Sequence, residues 1–287
     1  MIKIINTGTG HLNNRRVENR GLLKSLNNIF RTQRSYIVKM PKKGMPVTLC
    51  LSGGIDSVSQ LFILLNEFKL NVYPIFLDRK QTNRDKEIKS VKFFDNYFSK
   101  RFPKLYHKVK FVSLETPAKE YKNDLRATKE LKDNPLMRRD ISYPSRNPII
   151  YLTAMEYAYS LQSKGIKIKT IFGAFPNSDY LYHSSLTALR SLNLLICHIT
   201  NDWSWQVISI PIEEEFDNCY DKEIYMKYCL EKDVPLHKSR SCPKGGENHC
   251  GICIGCWDRR NAFKQIKIKD KTVYDSPFNE EIPSAYL

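Results

Sequence analysis

Apolar residues along this 287-residue chain fall into two alternating rhythms. Short, mostly apolar runs at residues 47–51, 72–77, 109–114, 169–173 and 207–210 have the length and the β-branched or apolar character of buried strands. Between most of them lie segments with helical spacing, at 55–69, 85–101, 148–163, 184–197 and 220–232. In the first of these, Ile55, Val58, Leu61, Phe62 and Leu65 mark one face. Strands alternating with helices predict an α/β fold on a doubly wound parallel sheet. Ligands of such sheets bind beyond the carboxyl ends of the strands, where strand order reverses. The residues that follow each run are therefore the first candidates for chemistry.

After the first run comes Ser52-Gly53-Gly54-Ile55-Asp56-Ser57, a strand-to-helix corner. There the helix N-terminus offers unpaired backbone N–H groups, and two glycines let an anion approach without a Cβ in the way. Ser52 and Ser57 add hydroxyls, and Asp56 is placed to hold a metal-bound phosphate. The plain alternative is a Gly-Gly turn with Asp56 as helix cap. The corner is neither a Walker A loop nor a dinucleotide-binding Gly-x-Gly-x-x-Gly, and Gly8-Thr9-Gly10 lacks a third glycine. Asp78-Arg79-Lys80-Gln81 follows the second run, and Asn177-Ser178-Asp179-Tyr180 follows the fourth. Between residues 114 and 148 lies a long polar stretch ending in Tyr143-Pro144-Ser145-Arg146-Asn147. Its lysines read as solvated, but its length is that of a lid or binding loop.

Composition narrows the classes. Hydrophobic content of 41% and aromatic content of 11% exclude a disordered chain, and the length suffices for one α/β domain plus a small appendage. No apolar stretch reaches the length of a membrane span, and the N-terminus lacks a secretion signal, so a cytoplasmic protein with no membrane partner is expected. The net charge of +16 is uneven: residues 1–45 hold ten Lys or Arg and one acidic residue, Glu18. The chain thus divides into a basic extension (1–45), an α/β domain that carries the glycine corner (46–235) and a cysteine-rich segment (236–287). The extension suits an acidic partner, either nucleic acid or an acidic protein face, or is a solvated arm. With Phe30 and Tyr36 as its aromatics, it is a poor single-strand binder.

Eight cysteines in such a protein point to metal ligands or buried small hydrophobes rather than disulfides. Cys50, Cys197, Cys219 and Cys229 are scattered, whereas Cys242, Cys250, Cys253 and Cys256 fall within fifteen residues. Cys-x-x-Cys turns aim pairs of sulfurs at one ion, and Gly251 and Gly255 permit them. A tetrahedral zinc site is expected; with all four positions filled by protein, it would be structural. An iron–sulfur cluster is the rival, since three cysteines at this spacing with a remote fourth also suit one. His249 is a spare ligand candidate.

The corner resembles the SGGxDS PP-loop of ATP pyrophosphatases, which split ATP between its α and β phosphates to adenylate a substrate. Together with Cys-x7-Cys-x2-Cys-x2-Cys near the end, it makes the chain similar to the QueC family, the ATP-dependent 7-cyano-7-deazaguanine (preQ0) synthases. Residues 143–150 resemble that family's VPARN-x-x-F motif, and residues 78–87 its D-Y-G-Q…E segment. Lys222-Glu223-Ile224, Val234-Pro235 and Ser239-Arg240-Ser241-Cys242 resemble its run into the first zinc ligand. Arg259-Arg260-Asn261-Ala262-Phe263 resembles its closing helix.

The resemblance implies adenylation of 7-carboxy-7-deazaguanine with ATP and Mg²⁺, displacement of AMP by ammonia to give an amide, then renewed activation and dehydration to the nitrile. It implies that Ser52, Gly53, Gly54, Asp56, Ser57 and Asp78 hold ATP. It further implies that Arg146 and Asn147 line the site, and that Asn177, Asp179 and Tyr180 meet the deazaguanine. Asp56, Arg146 and Asp179 are the expected catalytic residues. A carboxylate attacking the α-phosphate brings negative charges together, so backbone donors, Mg²⁺ and a cation such as Arg146 must spread that charge.

Three features depart from the family pattern. Its S-G-Y-P-D-C-R loop is here Asp179-Tyr180-Leu181-Tyr182-His183-Ser184-Ser185, which lacks the Pro-Asp-Cys-Arg run. Its Tyr-Gly before Gln81 is Arg79-Lys80, and the basic extension has no counterpart in the shortest synthases. QueC-like proteins also occur in anti-phage systems, including CBASS operons, where the activated deazaguanine is joined to a partner protein's amine. The altered loop and basic extension suit such a protein acceptor. The alternatives are a free preQ0 synthase using ammonia in queuosine biosynthesis and a PP-loop tRNA-modifying enzyme. A homodimer is the candidate assembly.

Overall fold

The computed structural model describes residues 18–121, 145–177, 179, 181–216 and 221–279. Five parallel strands form one sheet in the order β3-β2-β1-β4-β5: β1 (Pro46–Cys50), β2 (Asn71–Asp78), β3 (Lys110–Ser113), β4 (Thr170–Phe172) and β5 (Gln206–Ile208). Pairing of Val47 with Val72 on one side of β1, and of Leu49 with Phe172 on the other, puts the reversal of strand order between β1 and β4.

Side chains of successive strand residues leave the sheet on opposite faces, and two helical layers cover them. Val47, Leu49, Leu51, Val72, Phe76 and Phe172 pack with α2 (Ile55–Asn66), α3 (Arg84–Arg101) and α6 (Lys222–Glu231). Ile75, Ile171 and Val207 pack with α1 (Arg20–Arg34), α4 (Arg146–Gln162) and α5 (Leu186–Thr200). The doubly wound sheet expected from the alternating pattern is what the chain forms. The edge strand β3 is short and mostly exposed, and it opens on Lys110, a charge that discourages pairing with another chain.

Two helices go beyond the periodicity reading. Within the basic segment, Leu23, Leu26 and Phe30 are buried at helical spacing, Asn19 caps the start of α1, and Ser35 at φ 63° ends it. Burying Phe30 completely is worth about 1.5–3 kcal/mol, more than exposed charges around it contribute. Arg34 donates to the carbonyls of Trp203 and Trp205 at 2.9 and 2.6 Å, tying the end of α1 to the approach to β5. Residues 20–34 are thus part of the second helical layer. The other helix, α7 (Ile254–Gln265), has Cys253 at its N-cap, carries Cys256 in its first turn and buries Ala262 and Phe263 against the first layer. The candidate binding loop at 122–144 lies outside the described residues, as do Tyr180 and Cys219.

Candidate functional site

At the end of β1 the chain turns through Gly53 at φ +76°, a conformation that L side chains rarely adopt. A Cβ there would also meet Val91 Cγ2 at 3.0 Å. The turn is braced by its own serines. Ser57 Oγ accepts from Ser52 N at 3.2 Å and donates to the Gly54 carbonyl at 3.1 Å, while Ser52 Oγ accepts from Gly54 N at 3.3 Å. Outside groups hold it too: the Gly53 carbonyl accepts from Ser90 Oγ at 2.7 Å and from Arg240 N at 2.8 Å. Gly54 precedes α2 and, among the described residues, no side chain caps that helix, so its first-turn amides and the positive end of its dipole are left without a side-chain acceptor.

The Asp56 side chain turns toward α6. It accepts from the Tyr225 hydroxyl and lies 3.5 Å from Lys222 Nζ, and Lys222 pairs in turn with Asp258 of α7. Packing around Asp56 pushes its carboxyl pKa up, against the pull of Lys222 and Tyr225. Burial works against the Lys222 charge, but Asp258 and Asp56 outweigh it and raise the lysine's pKa. Lys222, Tyr225 and Asp258 therefore belong to the corner, although they lie far from it in sequence.

At the end of β2, Asp78 is buried and accepts from Arg84 Nε at 2.7 Å and from Lys80 N at 3.0 Å. Burial opposes its charge, yet these donors bring its pKa below the usual carboxylate value. Beside it, Glu87 accepts from Gln81 and Asn83. Burial raises its pKa, while Gln81, then the Arg79 charge, Asn83 and the Arg146 charge, counter the rise.

Arg146 is the first residue of α4, and its Nη2 lies 3.1 Å from His183 Nε2. A guanidinium can only donate, so this contact assigns His183 a neutral ring accepting at Nε2. Asn147 Nδ2 donates to the His183 carbonyl at 3.1 Å and to Ser184 Oγ at 3.2 Å. Next to them Tyr151 is wholly buried. Burial, first of all, raises its pKa well above the usual tyrosine value. Asp179 Oδ1 accepts from Leu181 N at 3.1 Å, and Asn177 is buried in the same loop. Tyr180 lies outside the described residues. His183 and Tyr151 had no motif to mark them; only their places after a strand and one turn past Arg146-Asn147 pointed their way.

The four clustered cysteines converge. Their sulfurs all lie within 4.8 Å of one another, with Cys250 to Cys256 at 3.9 Å and Cys242 to Cys253 at 3.8 Å. Four thiolates on one tetrahedral ion at a bond length of about 2.3 Å stand about 3.8 Å apart. Gly255 is required here, since a Cβ would fall 2.3 Å from the Ser241 carbonyl. His249 Nε2 accepts from Ser241 N at 3.1 Å, so the spare-ligand candidate is engaged with backbone. The segment also touches the phosphate corner: besides the Arg240 N to Gly53 bond, Asn83 Nδ2 donates to the Cys242 carbonyl at 3.1 Å. The Arg240 guanidinium gathers the carbonyls of Cys242, Lys244, Gly246, Glu247 and Asn248.

Residues 47–267 match the family model of queuosine biosynthesis protein QueC. The chain belongs to the QueC family. A 7-cyano-7-deazaguanine synthase of Acetivibrio thermocellus is 30% identical over 229 residues, covering 78% of this chain and 95% of that protein. One from Methanosphaera stadtmanae is 27% identical over 241 residues, covering 78% and 96%. Among solved structures, the U34-tRNA thiolase NcsA from Methanococcus maripaludis with its 4Fe–4S cluster aligns over 93% of this chain and 86% of its own, at 13% identity and a TM-score of 0.38. The match to QueC spans both the glycine corner at residues 52–57 and all four cysteines. No helix among the described residues is long and apolar enough to cross a membrane.

Proposed function

We propose that this QueC-family protein adenylates the carboxylate of 7-carboxy-7-deazaguanine and passes the acyl group to an amine. A carboxylate oxygen attacks the α-phosphorus of ATP and pyrophosphate leaves. The amine nitrogen then attacks the acyl carbon, AMP departs with the former carboxylate oxygen, and the amine loses a proton. The observation that carries this reading is the braced corner at residues 52–57, with Gly53 at φ +76° and α2 uncapped by any side chain. Its amides suit the ATP phosphates, and a Mg²⁺ ion would travel with the nucleotide. Asp78 suits the nucleoside end. Arg146, with Asn147 behind it, suits the charge that builds up at the α-phosphate. Asn177, Asp179 and Tyr180 follow β4 and suit the deazaguanine.

The acceptor we propose is an amine on a partner protein, in the anti-phage setting where QueC-like proteins occur. What supports it is the replacement of the family's Pro-Asp-Cys-Arg run by residues 181–185, in which His183 engages Arg146. A second reading, ammonia as acceptor and the nitrile as product, is favoured by the match across 95% of a 7-cyano-7-deazaguanine synthase. Mass spectrometry of products from ATP, 7-carboxy-7-deazaguanine and ammonia separates the two. The protein-acceptor reading predicts poor conversion of free substrate; efficient formation of the nitrile returns the protein to queuosine-precursor synthesis.

For the cysteine site we propose zinc in a structural role. Sulfur separations of 3.8 and 3.9 Å suit one tetrahedral ion, whereas a cubane spreads its thiolates over four irons. Metal analysis of the purified protein should give one zinc per chain and no visible absorption; iron with inorganic sulfide would contradict this.

A further inference from the structure

Glu18 is the one acidic residue in the first 45, yet its carboxylate is spent at a distant helix start. Its oxygens accept from Leu186 N at 2.8 Å, Thr187 N at 2.9 Å and Thr187 Oγ1 at 2.7 Å, in the first turn of α5. Next to it Asn19 Oδ1 accepts from Leu22 N at 3.0 Å and starts α1. Two adjacent residues therefore join the beginnings of two helices. A carboxylate in this place satisfies amides that no helical carbonyl can reach and matches the positive end of the dipole.

What α5 begins from makes this contact consequential. The residues just before it are the loop that carries Asp179 and His183. Ser185 Oγ accepts from Ala188 N at 3.0 Å and donates to the Tyr182 carbonyl at 2.7 Å. One residue back, Ser184 Oγ and the His183 carbonyl receive Asn147 Nδ2, and His183 Nε2 meets Arg146. Glu18 and Arg146-Asn147 thus grip the two ends of one short stretch of backbone, residues 182–188, which the Ser185 hydroxyl braces between them. The α2 corner has its own braces and none of them involves this stretch.

We propose that Glu18 is a positioning residue for the 181–187 segment, so that the N-terminal extension sets the shape of the acceptor and base side of the site while leaving the phosphate side untouched. The identity of the small molecule in this proposal rests on the adenylation reading; the placement of the segment does not.

The test uses the full chain with Glu18→Gln and Glu18→Ala, compared with wild type by amide hydrogen exchange and by steady-state kinetics. Glu18→Ala is expected to speed exchange at residues 182–187 by about tenfold or more, with residues 52–58 unchanged. It should raise KM for 7-carboxy-7-deazaguanine by about tenfold with KM for ATP unaltered, and Glu18→Gln, which keeps an acceptor without the charge, should fall between. Unchanged exchange at 182–187, or equal rises in both KM values, would overturn the proposal. If Glu18→Ala does not fold, the near-isosteric Glu18→Gln decides by the same two readouts. If wild type does not turn over the deazaguanine, the adenylation reading fails while the exchange experiment still decides the role of Glu18.

Discussion

The phosphate corner at residues 52–57 and the loop at 177–185 both follow strands of one sheet, yet they are held in different ways. The corner is fixed by bonds among its own backbone and two serines, with clamps from Ser90 and Arg240 on one carbonyl. The loop is fixed by side chains that arrive from α4 and from the extension before α1, 36 to 169 residues away. Backbone amides recognise an anion without help from side-chain identity. Side chains held by distant partners, in contrast, can be exchanged without disturbing a turn that is braced by its own backbone.

Removing the proposed zinc site should break the comparison most severely, since the cysteine segment braces the corner from outside. The Cys253→Ala/Cys256→Ala variant should lose its metal, release Arg240 and Cys242 from Gly53 and Asn83, and abolish ATP-dependent turnover. Its melting temperature should fall by about 10 °C or more, read by calorimetry with metal analysis alongside. Next, Gly53→Ala forces a Cβ into the left-handed region beside Val91. It should cost about 1–3 kcal/mol and lower ATP–pyrophosphate exchange about 100-fold, with residues 182–187 unaffected.

Lys222→Met leaves Asp56 and Asp258 facing each other without their cation. Because both carboxylates are about one-third exposed, the loss should be about 1–3 kcal/mol rather than the larger penalty of a fully buried pair. Urea unfolding checks it, and ATP–pyrophosphate exchange should slow as well. His183→Ala acts on the other region: it should raise KM for the deazaguanine about tenfold while leaving KM for ATP alone. Equal changes in both would erase the distinction between the two regions.

The smallest effect concerns pH. Asp78 has a pKa below the usual carboxylate value because Arg84 and Lys80 donate to it against the cost of burial. Its contribution to stability is present above the unfolded pKa of about 3.9 and is lost as pH falls through the lower folded value. Arg84→Met should therefore destabilise slightly near neutral pH and flatten the decline in stability as pH falls through the carboxylate range. Identical acid titrations for the two proteins would remove Arg84 from this role.

How legible each region was in the sequence follows from the same difference. The corner could be read because its braces lie within six residues, and the cysteine site because its ligands fall within fifteen. All five strands and the α2–α6 pattern came from periodicity. Helix α1 escaped because ten cations in residues 1–45 dominate the segment, although Leu23, Leu26 and Phe30 already stood at helical spacing. Helix α7 had no periodic signal beside the cysteines and was marked only by the resemblance at Arg259–Phe263. Lys222, Tyr225, Asp258 and His183 act through contacts spanning 36 to 169 residues, and no local pattern encodes such a distance.

Carboxylate adenylation is the central claim, and oxygen transfer tests it most directly. With both carboxyl oxygens of 7-carboxy-7-deazaguanine labelled with ¹⁸O, turnover with ATP and an amine donor should deliver one labelled oxygen to each AMP and none to pyrophosphate. Unlabelled AMP, or label appearing in inorganic phosphate, would contradict it.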